Sequence, residues 1–102
     1  MSLLQLQQQN IAAAAAYTEY SFAIPPRVQA VTLSLRSNSQ PIFWYTAPSG
    51  SPSPGTAANL PSVYNTIPAG ASRTFQILGG QTVYFQTPGT TQVLEVDYYG
   101  DL

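Results

Sequence analysis

The chain of 102 residues contains no cysteine, no histidine and no lysine. Without cysteine and histidine, one copy cannot form a disulfide, a cysteine–histidine zinc site or a Ser-His-Asp triad. Its three cations are arginines, too few to line a groove for a phosphate backbone. We therefore expect no catalytic residues, no cofactor, no metal site and no nucleic-acid partner, and a protein that is not an enzyme.

Charge of either sign is scarce. Charged residues make up 7% of the chain and the net charge is −1, whereas a typical soluble domain is about 25% charged. The polar residues are instead mostly neutral, and neutral groups cost less to remove from water than ions do. This composition favours a surface that is buried against partners, and so an assembly subunit over an isolated domain.

Residues 1–16 differ from the rest of the chain and are rich in Gln and Ala. No positive residue precedes their apolar part, and no run approaches the roughly 18 apolar residues of a membrane span, so we expect neither a secretory signal nor a membrane partner. Ala, Leu and Gln favour helices, but a helix this short is marginal alone. We predict an arm, helical or extended, that buries four apolar side chains against a neighbouring subunit: Leu3, Leu4, Leu6 and Ile11.

Residues 17–102 have the pattern of a β domain. Apolar side chains alternate with polar ones at Val31, Leu33 and Leu35, and again at Leu94, Val96 and Tyr98. Turn residues recur between such runs, and Gly79-Gly80 between two of them predicts a hairpin. No helical pattern interrupts these runs. Six to seven short strands predict an all-β fold, an antiparallel β-sandwich of jelly-roll or Ig-like type, or a small barrel.

The densest aromatic cluster is Phe43-Trp44-Tyr45. Alternation places Phe43 and Tyr45 on one face of a strand and Trp44 on the other. Near the end of the chain, one of Tyr98 and Tyr99 should pack inside and the other point outward. Trp44, Tyr45 and Tyr99 are therefore candidates for contact with a glycan or a protein partner, and core packing is the alternative.

The acidic residues are weaker candidates for a site. Glu95, Asp97 and Asp101 could offer oxygens to calcium, but Glu95 and Asp97 alternate with apolar residues as the solvent face of the last strand would. Glu19 is the one acid outside this group, and a glycoside-hydrolysing pair needs two carboxyl groups set across a cleft. We favour the structural interpretation of all four acids.

Residues 21–100 contain a series of short segments that together resemble one class of small β-sandwich: Ile24-Pro25-Pro26, Val31-Thr32-Leu33-Ser34-Leu35-Arg36, Ile67-Pro68-Ala69-Gly70, Gly79-Gly80-Gln81-Thr82-Val83-Tyr84-Phe85 and Val93-Leu94-Glu95-Val96. The class is the small structural proteins of tailed-bacteriophage virions, of the capsid decoration or cement type or the head and tail accessory type. The resemblance implies a non-enzymatic role on the virion, contacts with the major capsid protein or neighbouring subunits, and a homo-oligomer with a trimer favoured.

Two alternatives stay open at this point. The protein could be a tail, connector or head-fibre component of the virion. It could also be a carbohydrate-binding β-sandwich module that uses the aromatic cluster or the Pro- and Gly-rich residues 47–61.

Overall fold

The structure is a computed structural model that describes residues 4–37, 39–48 and 64–100. These residues contain no helix and eight strands, one or two more than the sequence predicts. In chain order the strands are β1 (Leu4–Ala13), β2 (Tyr20–Ala23), β3 (Val28–Leu35), β4 (Ile42–Pro48), β5 (Asn65–Ile67), β6 (Arg73–Gln76), β7 (Gln81–Gln86) and β8 (Gln92–Gly100). The predicted antiparallel β-sandwich is confirmed.

The strands form two antiparallel sheets of four strands each. The first sheet has the order β1-β8-β3-β6 and the second has the order β2-β7-β4-β5. The first strand thus pairs with the eighth, the second with the seventh, the third with the sixth and the fourth with the fifth. This nested pairing of eight strands in two sheets is the jelly roll and not the Ig-like arrangement.

The core lies between the two sheets and is built by alternation along the strands. Leu94, Val96 and Tyr98 of β8 are fully buried, whereas the side chains between them point to the opposite face. The other buried apolar side chains that form one cluster with them are Ala13, Phe22, Ile24, Val28, Val31, Leu33, Leu35, Ile42, Trp44, Ile67, Ile77, Val83 and Phe85. A side chain of this kind stabilises the fold by about 1.5–3 kcal/mol when fully buried.

The structure does not set residues 4–16 apart from the sandwich. Residues 4–13 are β1 and pair with β8 along almost their whole length, from Leu4 opposite Gly100 to Ala13 opposite Gln92. The predicted boundary between an arm and a domain at residue 16 therefore falls within the fold. Pairing with β8 satisfies the backbone groups on one side of β1, and this tertiary interaction outweighs the helix preference of Gln, Leu and Ala.

The predicted hairpin at Gly79-Gly80 is wrong, although a turn is present there. The strands on either side, β6 and β7, lie in different sheets, so the turn carries the chain across the sandwich. Gly80 has a φ of 88°, which L side chains rarely adopt, and a Cβ on Gly79 would lie 2.8 Å from the Pro25 carbonyl oxygen. The two glycines permit this tight turn between the sheets. A turn within one sheet would need the same residues, so the sequence does not distinguish the turn from a hairpin.

Candidate interaction surface

One long strand edge of the sandwich is unpaired among the described residues. β1 pairs with β8 on one side, and no described strand pairs with its other side. It has ten residues, whereas the other three edge strands, β2, β5 and β6, have four, three and four. Its sequence, LQLQQQNIAA, contains no charge and no proline. Short edges, edge charges, edge prolines and bulges are the usual protections against strand addition. Of these, β1 has only an irregularity between Gln5 and Gln7.

The outer face of the first sheet continues from this edge as a mostly neutral polar surface. The described side chains that the register places on this face are Gln5, Gln8, Asn10, Ala12, Ala30, Thr32, Ser34, Thr74, Gln76, Val93, Glu95, Asp97 and Tyr99. Hydrogen bonds link neighbours across and along the strands, including Thr32 Oγ1 with Thr74 Oγ1 at 2.6 Å and Gln8 Nε2 donating to Asn10 Oδ1 at 3.2 Å. The surface is rich in groups that a partner can hydrogen-bond without burying an ion.

The charges on this face are partly paired within the chain. Arg36 Nε donates to Glu95 Oε2 at 3.1 Å, and Gln5 Nε2 donates to Asp97 Oδ1 at 3.1 Å. Because the Arg36 side chain is 54% exposed, this ion pair adds little to stability. Its effect is to neutralise locally one of the two acids that project from β8.

The four side chains predicted to contact a neighbour have different positions. Leu6 and Ile11 are half-buried and pack against the core of their own chain. Leu4 is 48% exposed and remains available to a partner. Leu3 lies outside the described residues. The apolar contacts of β1 are thus mainly internal, and its exposed side chains are mainly amides.

The structure buries two of the three candidate aromatics. Trp44 is 8% exposed and stacks on Phe75 of the opposite sheet, with ring centroids 4.1 Å apart and planes at 8°. Tyr45, on the other face of β4 as alternation predicts, is 5% exposed and stacks on Tyr84. Neither ring presents an open face to a sugar, because both rings are held by contacts within the chain.

Tyr45 also contacts the acid that the sequence leaves isolated. Its hydroxyl donates a hydrogen bond to Glu19 Oε2. Burial raises the pKa of Tyr45 above its usual value, and the hydrogen bond and charge of Glu19 raise that pKa further. Glu19 therefore has a structural contact that holds the segment before β2 against the second sheet.

The last strand places its tyrosines and acids as the sequence predicts. Tyr98 is fully buried and its hydroxyl donates to Gln9 Oε1 at 2.8 Å, whereas the neighbouring Tyr99 is half-buried on the outer face. Glu95 and Asp97 lie on that same outer face. Asp101 lies outside the described residues, and within the described residues no three His, Cys, Asp or Glu side chains are grouped as a metal site would require.

Two shallow depressions on the surface lie open to solvent. One, of about 250 Å³, is lined by Thr46, Gln76, Ile77, Leu78 and Gln81. The other, of about 280 Å³, is lined by Ser34, Leu35, Arg36, Gly70, Ala71, Ser72 and Glu95. Both volumes are below the 300–1,000 Å³ typical of small-molecule sites, and neither depression combines an enclosed apolar wall with converging polar groups.

The long β1 edge, unpaired among the described residues, is the candidate interaction feature that the sequence did not predict. The only signal for it was the absence of charge and proline from residues 4–13, together with their Gln content.

Among the described residues, none forms a helix that could cross a membrane. Comparisons of the chain with protein-family models, with curated proteins and with solved structures found no match.

Proposed function

We propose that this protein is a non-enzymatic structural subunit of a tailed-bacteriophage virion, of the capsid decoration or cement type. The observation that carries the proposal is the mostly neutral polar outer face of the first sheet, which continues into the β1 edge that no described strand pairs with. Such a surface suits burial against neighbouring subunits, because hydrogen-bonding groups are plentiful and few ions must lose their water.

The proposed mechanism is stabilisation of the particle by repeated contacts. The jelly roll is a rigid body, and the outer face of its first sheet lies against the major capsid protein or an adjacent subunit. In a symmetric shell, the same contact occurs many times. When the subunit is a homo-oligomer, several modest contacts act together and give strong attachment.

We do not propose glycan binding through the aromatic cluster, because Trp44 and Tyr45 are packed within the chain. Of the Pro- and Gly-rich residues 47–61 in that alternative, residues 49–61 lie outside the described residues. A tail, connector or head-fibre position uses the same surface in a different place on the virion. The number of copies per particle distinguishes these locations, since a decoration protein follows the copy number of the major capsid protein and a connector protein does not.

The test is quantitative mass spectrometry of gradient-purified virions from the host culture that produces this chain. Peptides of this chain in a fixed ratio to the major capsid protein would support the decoration role, and a fixed low copy number would place it at the tail or connector. Absence of the chain from purified particles would refute a virion role.

A matched pair of variants tests the surface. Thr74 and Thr66 are both exposed threonines, on edge strands of the first and second sheets respectively. When particles lacking the protein are incubated with purified variants, Thr74→Lys should bind at least about tenfold more weakly than the native chain, since it places a charge in the interface. Thr66→Lys should bind as the native chain does. Equal loss in both variants would contradict the assignment of the first sheet.

A further inference from the structure

Along the β1 edge, no strand of residues 4–37, 39–48 and 64–100 pairs with the outward-directed backbone groups, and another strand could pair with them. In an antiparallel ladder, alternate residues direct their N–H and C=O groups away from the existing partner. The ladder between β1 and β8 is irregular between Gln5 and Gln7 and then regular to Ala13. Residues 7–13 thus offer an even row of donors and acceptors roughly 24 Å long at about 3.4 Å per residue.

The chemistry of the edge selects the strand that can fill it. Glu95 of β8 is paired with Arg36, but Asp97 lies opposite Gln8 of β1 and takes no part in that ion pair, so its charge disfavours an acidic segment at the edge. β1 itself carries no charge, and it places Gln and Asn amides, which both donate and accept hydrogen bonds, next to any added strand. A second copy of β1 meets these requirements and is present wherever the protein is present.

We propose that two copies of this chain pair through β1, antiparallel and about a two-fold axis, to make one continuous eight-stranded sheet. This inference rests on the proposed structural role for the need to assemble, but the contact forms between purified copies alone. A two-fold contact closes as a dimer, in place of the trimer that the family resemblance implies.

The register with its axis at Gln9 keeps each side chain on its own face. It places Gln8 opposite Asn10 of the second copy on the outer face, and Gln7 opposite Ile11 on the inner face. Gln8, Gln9 and Asn10 are all exposed in the single chain, and Gln8 and Asn10 already form an amide hydrogen bond within β1. Across the axis, the same amides can form a ladder with the second copy.

The absence of cysteine from the chain gives a clean test of this pairing. Opposite residues of an antiparallel pair have Cα atoms about 4.5–5.5 Å apart, within the range that a disulfide spans. Under mild oxidation of the otherwise native full chain, Gln9→Cys should become mostly disulfide-linked dimer. Gln76→Cys, an exposed position on the edge strand β6, is the matched control and should stay mostly monomeric on a non-reducing gel.

A mixture of two single variants tests the register. Gln8→Cys and Asn10→Cys, oxidised together, should give more crosslinked dimer than either variant oxidised alone. Crosslinking of Gln9→Cys at no more than the Gln76→Cys level, with no excess in the mixture, would overturn the proposal. A trimer in solution that does not crosslink at position 9 would overturn it as well.

A charge variant tests the contact without disulfide crosslinking. Gln9→Lys places two ammonium groups face to face at the axis, so the dimer dissociation constant measured by sedimentation should rise at least about tenfold. The same constant for Gln76→Lys should equal that of the native chain. If the native chain sediments as a monomer at its highest soluble concentration, the pairing is refuted. If the purified chain is a monomer but is found in virions, the pairing is refuted and the virion role is not. If the chain crosslinks as a dimer but is absent from virions, the virion role is refuted and the pairing is not.

Discussion

Replacing Trp44 with Ala should be among the most damaging single changes in this protein. Trp44 comes from β4 of the second sheet and stacks on Phe75 from β6 of the first sheet, so its ring joins the two layers. Removal of a buried Trp side chain costs about 3–5 kcal/mol, from lost burial and the cavity that remains. Since domains of this size are stable by about 5–15 kcal/mol, the variant should lose between about a fifth and all of its stability.

The assay is urea unfolding followed by far-ultraviolet circular dichroism, which does not depend on the Trp that is removed. Tyr64→Ala is the control, because Tyr64 is 42% exposed and contacts Phe43 edge-on at the surface. That variant should change the free energy of unfolding by no more than about 0.5 kcal/mol. A cost below about 1 kcal/mol for Trp44→Ala would refute the burial argument and restore Trp44 as an exposed ligand-binding ring.

A second substitution at the same site separates packing from the polar group. Among the described residues, Trp44 Nε1 is buried and has no hydrogen-bond acceptor. An unsatisfied buried donor costs about 1–3 kcal/mol. Trp44→Phe loses ring volume but also removes this donor, so it should cost much less than Trp44→Ala. A double-mutant cycle of Trp44→Leu with Phe75→Leu should give a coupling of about 0.5–1.5 kcal/mol for the stacked pair.

Two further predictions concern backbone strain and pH. Thr91 has a φ of 56°, which is unusual for a β-branched residue; Thr91→Asn should raise stability by about 1 kcal/mol and Tm by about 4 °C in calorimetry, whereas Thr90→Asn should not. Burial raises the pKa of Tyr98 to about 12, while the unfolded chain ionises near pH 10. Stability should therefore fall as pH rises from about 10 to about 12, by at most about 1.4 kcal/mol per unit for this group. Tyr98→Phe should show a shallower decline in urea midpoints, and an unchanged slope would contradict the assignment.

The sequence predicted the strands whose two faces differ. In β8, Leu94, Val96 and Tyr98 alternate with Glu95 and Asp97, and the structure buries the first set and directs the second outward. The prediction of β8 succeeded because a strand with one face in the core alternates between apolar and polar residues, and this alternation is visible in its own sequence. The same logic placed Trp44 and Tyr45 on opposite faces, but it did not reveal that both are buried.

The sequence did not predict β1 or the path of the chain between the sheets. β1 is an edge strand whose inner face includes Gln7 and Gln9, and its irregular pairing near Gln5 breaks the alternation. Its strand conformation depends on β8, which lies at the other end of the sequence. Gly79-Gly80 supplies the backbone freedom for a tight turn, but which sheet the next strand joins depends on distant partners.

The pairing of β1 with β8 also sets the order in which the protein can be completed. Leu4 lies opposite Gly100, so β1 cannot pair with β8 along its full length until the last residues of β8 have been synthesised. Contacts this distant in sequence make folding slow, since the loop-closure entropy must be overcome before the contacts form. During translation, the uncharged segment that becomes β1 is exposed on every nascent chain. Neighbouring chains on one messenger could then meet through this segment before either sandwich has closed.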